Sequence, residues 1–446
     1  MVKKVLRLAI PSIVSNITIP LLGLVDVAIT GHMGDAVYMA AIAVGSMVFN
    51  IIYWLFSFLR FGTGGLTAQA FGESSSCAGN QNECCRILVR SLLTSAIIAL
   101  LLLLLRNPLF SIGMWAINPD AEIMPIIKTY YDICIWGTIP SLALYAMTGW
   151  FVGMQNTVYP MIISIAQNIL NICLSAFFVF YCGMKIEGVA LGTLIAQWGG
   201  AIIGLITVIL RYRTLWTAFP LDKEMLPILK SIVSRMGNYG KVNTTLFIRT
   251  LFLVAVNLWF IIAGAKCGTV ILAVNSVLMQ MFILVSYVMD GFAFAAEALC
   301  GRYYGANDKS NFRLALMSVW KCSIVLTAVY VLVYFAGGEG FLRLLTDDAS
   351  IRTAAVEYLP WAIAIPVCGV GAFVWDGVFV GITNVSGMLY GTFAGATAFF
   401  AIYYGLSPEF HNHALWLAFN CYLLVRGIVQ HYIYARKRQI KSDLLC

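Results

Sequence analysis

Pro20-Leu21-Leu22-Gly23-Leu24-Val25-Asp26-Val27-Ala28-Ile29-Thr30-Gly31 sets one carboxylate inside an apolar run that begins near Leu6, with no cation nearer than His32. If the run crosses a bilayer, an acid near the hydrocarbon costs about 2.5–3.5 kcal/mol, and such a residue faces a cavity or a partner. Pro11 and Pro20 lie on the same run. Each removes a backbone donor and favours a kink. The stretch reads as a bendable membrane helix that carries a titratable acid, and so as a moving part.

Composition agrees with a membrane setting. Of 446 residues, 61% are hydrophobic and 11% charged, and the mean hydropathy is +0.87. A soluble domain carries about 25% charged residues, so the chain is an integral membrane protein. The first apolar run has Pro11 early in it and no A-x-A-like site after it, so no cleavable signal peptide is expected. The net charge of +8 is read by position, as membrane orientation, and not as nucleic-acid binding. Twelve cysteines without C-x-x-C pairs read as reduced small hydrophobes, with Cys84-Cys85 adjacent in an expected cytoplasmic loop. Four histidines, widely spaced apart from His411 and His413, give no metal pattern.

Runs of about 20 apolar residues mark membrane spans. They fall near 6–30, 37–70, 87–105, 124–149, 159–182, 187–210, 243–264, 269–300, 313–336, 354–380, 388–406 and 412–435. The second and eighth are long enough to tilt or to run on into the cytoplasm. Lys3, Lys4 and Arg7 precede the first span, Arg86 and Arg90 follow the second, and basic residues fill the central loop and the C-terminal tail. By the positive-inside rule both termini are cytoplasmic.

The chain also repeats itself. Gly31, Ala40, Val44, Phe49, Leu66 and Gly72 recur 233 positions later as Gly264, Ala273, Val277, Phe282, Leu299 and Gly305. Phe151-Val152-Gly153 and Asn156 recur 228 positions later as Phe379-Val380-Gly381 and Asn384. Two halves of like orientation imply a pseudo-two-fold axis along the membrane normal and an alternating-access plan. The expected domains are an N-terminal six-helix lobe at 1–212, a cytoplasmic linker at 213–240 and a C-terminal six-helix lobe at 241–446.

Polar residues inside the spans mark the candidate site. Asn171 and Ser175 are four apart on the fifth span, and Thr193 and Gln197 repeat that spacing on the sixth. Each pair shares a helix face. They offer Asp26 a surround of hydroxyl and amide oxygens, or else serve as interhelical glue. In the second half Asp290 and Glu297 are seven apart on the eighth span and Asp376 lies in the tenth, with Arg60 and Arg249 as counter-charges. These five read either as a polar cleft or as an ion-pair network that locks helices. No G-x-x-x-x-G-K-[ST], H-E-x-x-H or G-x-S-x-G occurs, so neither a phosphate loop nor a hydrolase site is expected. A pump without a nucleotide site draws on an ion gradient, and Asp26 is then the natural ion carrier.

Several motifs resemble one family. They are Pro20-Leu-Leu-Gly-Leu-Val-Asp26, Phe58-Leu-Arg60-Phe-Gly-Thr-Gly-Gly-Leu-Thr-Ala-Gln69, Gly149-Trp-Phe-Val-Gly-Met-Gln155-Asn156, Phe247-Ile-Arg249-Thr-Leu and Asp290-Gly-Phe-Ala-Phe-Ala-Ala-Glu297-Ala-Leu. Together they resemble the multidrug and toxic compound extrusion (MATE) family, in its DNA-damage-inducible-F-like branch. The resemblance implies an all-α integral membrane protein of twelve transmembrane helices in two pseudo-symmetric six-helix bundles. It also implies efflux of amphiphilic or cationic drug-like compounds in exchange for protons or, second, sodium. Asp26 matches the first-helix aspartate on which coupling turns, Pro11 the proline at which that helix bends, and Asn171 and Thr193 its polar partners. Two departures stand out: Ser175 lies where the family often has a second carboxylate, and Asn243-Thr244-Thr245 where it often reads Asn-Arg-Asp.

The expected protein is a monomeric, multi-pass transporter of the inner (plasma) membrane, with no enzymatic activity, no bound cofactor, no nucleic-acid partner and no structural metal. Sodium at Asp26, Asn171, Ser175 and Thr193 is the one metal ion considered. The alternative is a lipid or lipid-linked saccharide flippase of related architecture. That protein would carry a cationic cleft, whereas Arg60, Arg249 and Arg426 are here set against Asp26, Asp290, Glu297 and Asp376.

Overall fold

Water does not reach the hydrocarbon, so every backbone N–H and C=O must be satisfied within its own segment, and long apolar runs fold as helices. The computed structural model describes residues 1–31, 36–76, 81–217 and 236–443; the side chains of 19–24, 26, 27, 36, 75, 76, 81, 217 and 437–443 lie outside that description. The first half holds α1 (Val2–Gly31), α2 (Ala36–Phe56), α3 (Phe58–Ser76), α4 (Gln81–Leu104), α5 (Arg106–Ile117), α6 (Met124–Cys134), α7 (Thr138–Gly153), α8 (Val158–Ala176), α9 (Ile186–Arg211) and the short α10 (Arg213–Thr217). The second holds α11 (Met236–Lys266), α12 (Thr269–Gly305), α13 (Lys309–Leu345), α14 (Ala349–Gly381) and α15 (Val385–Asp443).

Nine helical stretches among the described residues are long and apolar enough to cross a membrane. One of them, Val37–Ser74, runs for 38 residues through α2 and α3. At about 1.5 Å per residue it exceeds the roughly 30 Å of hydrocarbon, so it must tilt or project. Another, Val385–Arg436, is two helices that meet at His411, where φ is 44° and ψ −117°. With α1 and the α6–α7 stretch, these helices accommodate the twelve expected spans. Two local expectations change. Arg106–Ile117 is helix where a loop was expected, too short to span and closed by Asn118 in the left-handed region (φ 50°). Cys84 and Cys85 are buried in the first turns of α4 and not in a loop.

The internal repeat is present in the backbone. After α7, Gln155 N–H donates to Val152 O at 3.0 Å and Asn156 N–H to Phe151 O at 2.9 Å. After α14, 228 positions on, Thr383 N–H donates to Val380 O and Asn384 N–H to Phe379 O, both at 2.9 Å. Gln155 and Thr383 both take a positive φ, 61° and 50°. The helix crossings repeat as well. A Cβ on Gly149 would sit 2.1 Å from Arg60 O, and a Cβ on Gly377 would sit 2.1 Å from Ala293 O. Only glycine allows α7 that close to α3, or α14 that close to α12.

The contacts group the chain into two units, Met1–Ile13 with Lys241–Cys446, and Val14–Gly240. They differ from the sequence-drawn division chiefly in the first thirteen residues. Val5, Leu8, Ala9 and Ser12 form a buried stripe at helical spacing. A Cβ on Gly291 of α12 would sit 3.0 Å from Ala9 O, and Lys4 Nζ donates to Tyr303 OH at 3.3 Å.

Candidate functional site

In the unit Val14–Gly240 the polar residues gather on one face of α8. Ser164, Asn168, Asn171 and Ser175 step along it at intervals of four, three and four, the spacing of a single helix stripe. Its first half meets α1. Thr18 Oγ1 lies 2.9 Å from Ser164 Oγ, and Asn168 Nδ2 donates to Thr18 O at 2.8 Å. Its second half meets α9, where Asn171 Nδ2 donates to Thr193 Oγ1 at 2.9 Å and Thr193 Oγ1 donates to Val189 O at 3.0 Å. Asn171 and Ser175 are 1% and 0% exposed. Even so, Asn171 Oδ1 and Ser175 Oγ have no hydrogen-bond partner among the described residues. A buried oxygen without a donor costs about 1–3 kcal/mol, which marks this stripe as a candidate polar site.

Ser175 also fits its position sterically. A Cβ on Gly192 of α9 would lie 2.4 Å from Ser175 Oγ and 2.7 Å from its backbone nitrogen, so α8 and α9 touch through two small residues. The Asp26 side chain lies outside the described residues, as does that of Pro20; the backbone of both is within α1, whose helical assignment runs through Pro11 and Pro20. Gln197 turns from the stripe and fills the space that a Cβ on Gly137 would need. Arg60 lies with its guanidinium 4.0 Å over the ring of Phe61. The structure therefore brings Asn171, Ser175 and Thr193 together and sets Gln197 and Arg60 apart from them.

In the other unit a compact ion cluster surrounds Asp376 of α14. Arg249 of α11 and Arg426 of α15 both donate to Asp376 Oδ2, and Gln430 Nε2 donates to Oδ1 at 2.7 Å. All four are buried: Arg249 4%, Asp376 8%, Arg426 6% and Gln430 0% exposed. Asp290 of α12 acts electrostatically on the same Arg249. Glu297 is 1% exposed on α12, at the level where Gly381 of α14 packs against its backbone. Arg249 and Asp376 thus meet, as an ion-pair network requires. Arg426 and Gln430 were missed as members of it. Their spacing of four on one face was the available signal, but nothing in the sequence says which helix that face meets.

A further polar cavity, of about 150 Å³, opens between α3, α4 and the first turn of α11 and is lined by Gln69, Glu73, Glu83, Arg90, Asn238 and Tyr239. Arg90 Nη1 donates to Glu83 Oε1 at 2.8 Å, and Tyr239 OH to Ser91 Oγ at 3.0 Å. Among the described residues no group of His, Cys, Asp and Glu is placed to hold a metal ion.

Long apolar helices in two internally repeated halves, with polar and ionic groups buried among them, suit a multi-pass membrane transporter. Comparison with known proteins makes this specific. The MatE family profile matches residues 11–177 and 245–404. The chain is 35% identical over 441 residues to DNA damage-inducible protein F of Escherichia coli, covering 97% of this chain and 92% of that one. It is 24% identical over 357 residues to the probable multidrug resistance protein NorM of Thermotoga maritima, covering 78% and 73%. Among solved structures, the outward-facing conformation of a multidrug resistance MATE family transporter of the MOP superfamily matches with a TM-score of 0.84 at 18% identity, over 98% of this chain and 95% of that one. The chain belongs to the MATE family, whose members are membrane transporters and not enzymes.

Proposed function

We propose that this protein exports small amphiphilic or cationic drug-like compounds across the inner membrane by alternating access, as a monomer with both termini in the cytoplasm. The coupling ion is a proton carried by Asp26, with sodium as second choice. The observation that carries the reading is the pair of unpartnered oxygens, Asn171 Oδ1 and Ser175 Oγ, on a buried stripe whose other end is tied to α1 at Thr18. Asp26 lies eight residues beyond Thr18, about 12 Å along the helix. Asn171 and Ser175 lie seven and eleven beyond Ser164, so a parallel α1 and α8 carry both to the same level. The relatives named for multidrug resistance support the substrate class.

The ion cluster bears on stoichiometry. Asp376 accepts from two arginines and an amide, which favours Asp26 as the coupling acid and Glu297 over Asp376 as a second one. One proton in for one monovalent cation out moves no net charge. Membrane voltage, about 2.3 kcal/mol per charge per 100 mV, then contributes nothing. The pH difference alone drives about tenfold accumulation per unit, or roughly 1.4 kcal/mol. Sodium would find hard oxygen ligands at Asp26, Asn171, Ser175 and Thr193, only one of them charged.

Ethidium efflux from energised vesicles tests the reading, with wild type compared to Asp26→Asn under uncoupler and under sodium withdrawal. Efflux that collapses with uncoupler in sodium-free buffer, and is absent from the variant, is the expected result. Full efflux by Asp26→Asn at normal expression would end the proposal. No efflux in any condition would favour a lipid flippase.

A further inference from the structure

One constellation has no part in the α8 stripe or the Asp376 cluster. It stands where α15 restarts after the break at His411. Asn412 exchanges two amide hydrogen bonds with Asn275 of α12, at 2.8 and 3.0 Å, and Trp416 Nε1 adds a third to Asn275 Oδ1 at 2.9 Å. This fixes the first turn of the second helix. The next residue, His413, meets α14 instead. Its Nε2 lies 2.9 Å from Glu357 Oε1, Trp361 Nε1 donates to its Nδ1 at 3.1 Å, and the Tyr358 ring packs against it with centroids 4.7 Å apart.

An indole nitrogen only donates. The bond from Trp361 therefore exists only while Nδ1 of His413 carries no hydrogen. The single imidazole hydrogen is then on Nε2 and is donated to the Glu357 carboxylate. Both contacts together require a neutral ring in one tautomer. Adding a proton places N–H against N–H on the Trp361 side, and turns the Glu357 bond into a charge-assisted pair of the stronger kind. Protonation would thus break one contact to α14 while tightening the other.

We infer that His413 is a proton-binding site that operates the packing of α14 against the second helix of α15. Neutral, it holds Trp361; protonated, it releases Trp361 and grips Glu357. The site is reachable from water: the His413 side chain is 37% exposed and that of Glu357 62%. By the positive-inside expectation drawn from the sequence, this end faces away from the cytoplasm. The titratable groups around it are Glu357 and Tyr358 on α14, Cys267 at the end of α11, which acts on Tyr358, and His411 on its own element. Asn275 on α12 is uncharged and occupied by Asn412. Of these, only Glu357 is placed to accept from the charged ring.

The test uses the full chain in lipid nanodiscs, with ¹⁵N in histidine and tryptophan. His413→Asn assigns the histidine signals, and Trp361→Phe assigns the indole signal. We expect His413 as the Nε2–H tautomer at the alkaline end of a titration from about pH 8 to 5. The Trp361 indole resonance should shift with the same midpoint as His413 and stay fixed in His413→Asn, whose amide oxygen replaces the acceptor without titrating. If that variant does not fold, His413→Gln serves in its place. An Nδ1–H tautomer or a doubly protonated ring at pH 8 would overturn the inference. So would an indole signal that stays put while His413 titrates, or one that shifts equally in the variant.

Discussion

A buried carboxylate that accepts from two guanidinium groups and an amide, as Asp376 does, is committed to holding helices together. Removing Arg426 leaves Asp376 paired with Arg249 but takes away a buried charge-assisted hydrogen bond, worth about 1.5–3 kcal/mol. Arg426→Met should therefore lower the melting temperature of the purified protein. Equal melting of Arg426→Met and wild type would show that the cluster does not hold α11, α14 and α15 together. A second carboxylate, outside the membrane, predicts a pH effect. Asp308 caps α13 by accepting from Asn311 N–H at 2.9 Å and from Asn311 Nδ2 at 2.7 Å, and these bonds hold its carboxyl below the usual carboxylate range. A depressed folded value means that the cap's contribution is present above the unfolded value, about 3.9, and fades as pH falls through the folded one. Asp308→Asn should lose less stability than wild type over that acid window in a melting series.

Among the elements, the two close crossings carry the sharpest requirement. A methyl group on Gly149 or Gly377 would sit 2.1 Å from a carbonyl oxygen of the neighbouring helix. Backbone cannot move aside as a flexible side chain can, so each alanine variant must separate two helices, α3 from α7 or α12 from α14. Overpacking of this kind costs about 1–3 kcal/mol or more. We expect both Gly149→Ala and Gly377→Ala to reduce the folded yield and the melting temperature by similar amounts, read by thermal unfolding in detergent. Unequal effects would mean that the two crossings are not equivalent despite their shared geometry. The elements also show what was legible. The long spans followed from apolar length and the Asn171–Ser175 face from helical spacing, while Thr193 as a companion of Asn171 was implied by the family resemblance. The helix α5 was missed because, at 12 residues, it is too short to register as a span. Arg426 and Gln430 were missed because which helix they meet is set by tertiary packing, which leaves no local trace.

Across the whole molecule, the repeat was visible in the sequence as a handful of Gly, Phe and Asn matches at offsets of 233 and 228. In the backbone it becomes two turns with the same hydrogen bonds and two crossings with the same closest approach. Side chains have diverged over this frame, so the halves differ where chemistry is concerned. One carries unpartnered oxygens on α8, and the other carries an ion cluster at Asp376. Charge and polarity were readable residue by residue, but their grouping was not, because it depends on how each half packs its own helices.

The paired turns at Gln155 and Thr383 have a practical consequence for anyone who needs the protein in quantity. A β-branched residue with φ near 50° holds a backbone shape that its own side chain disfavours by about 1–2 kcal/mol. Glycine accepts it without steric cost, at the expense of more backbone freedom lost on folding. Thr383→Gly should raise the melting temperature by a few degrees and improve recovery from detergent, with Gln155→Gly giving a smaller gain. The repeat thus marks two places where a sturdier version of the protein can be made without touching the α8 stripe or the Asp376 cluster.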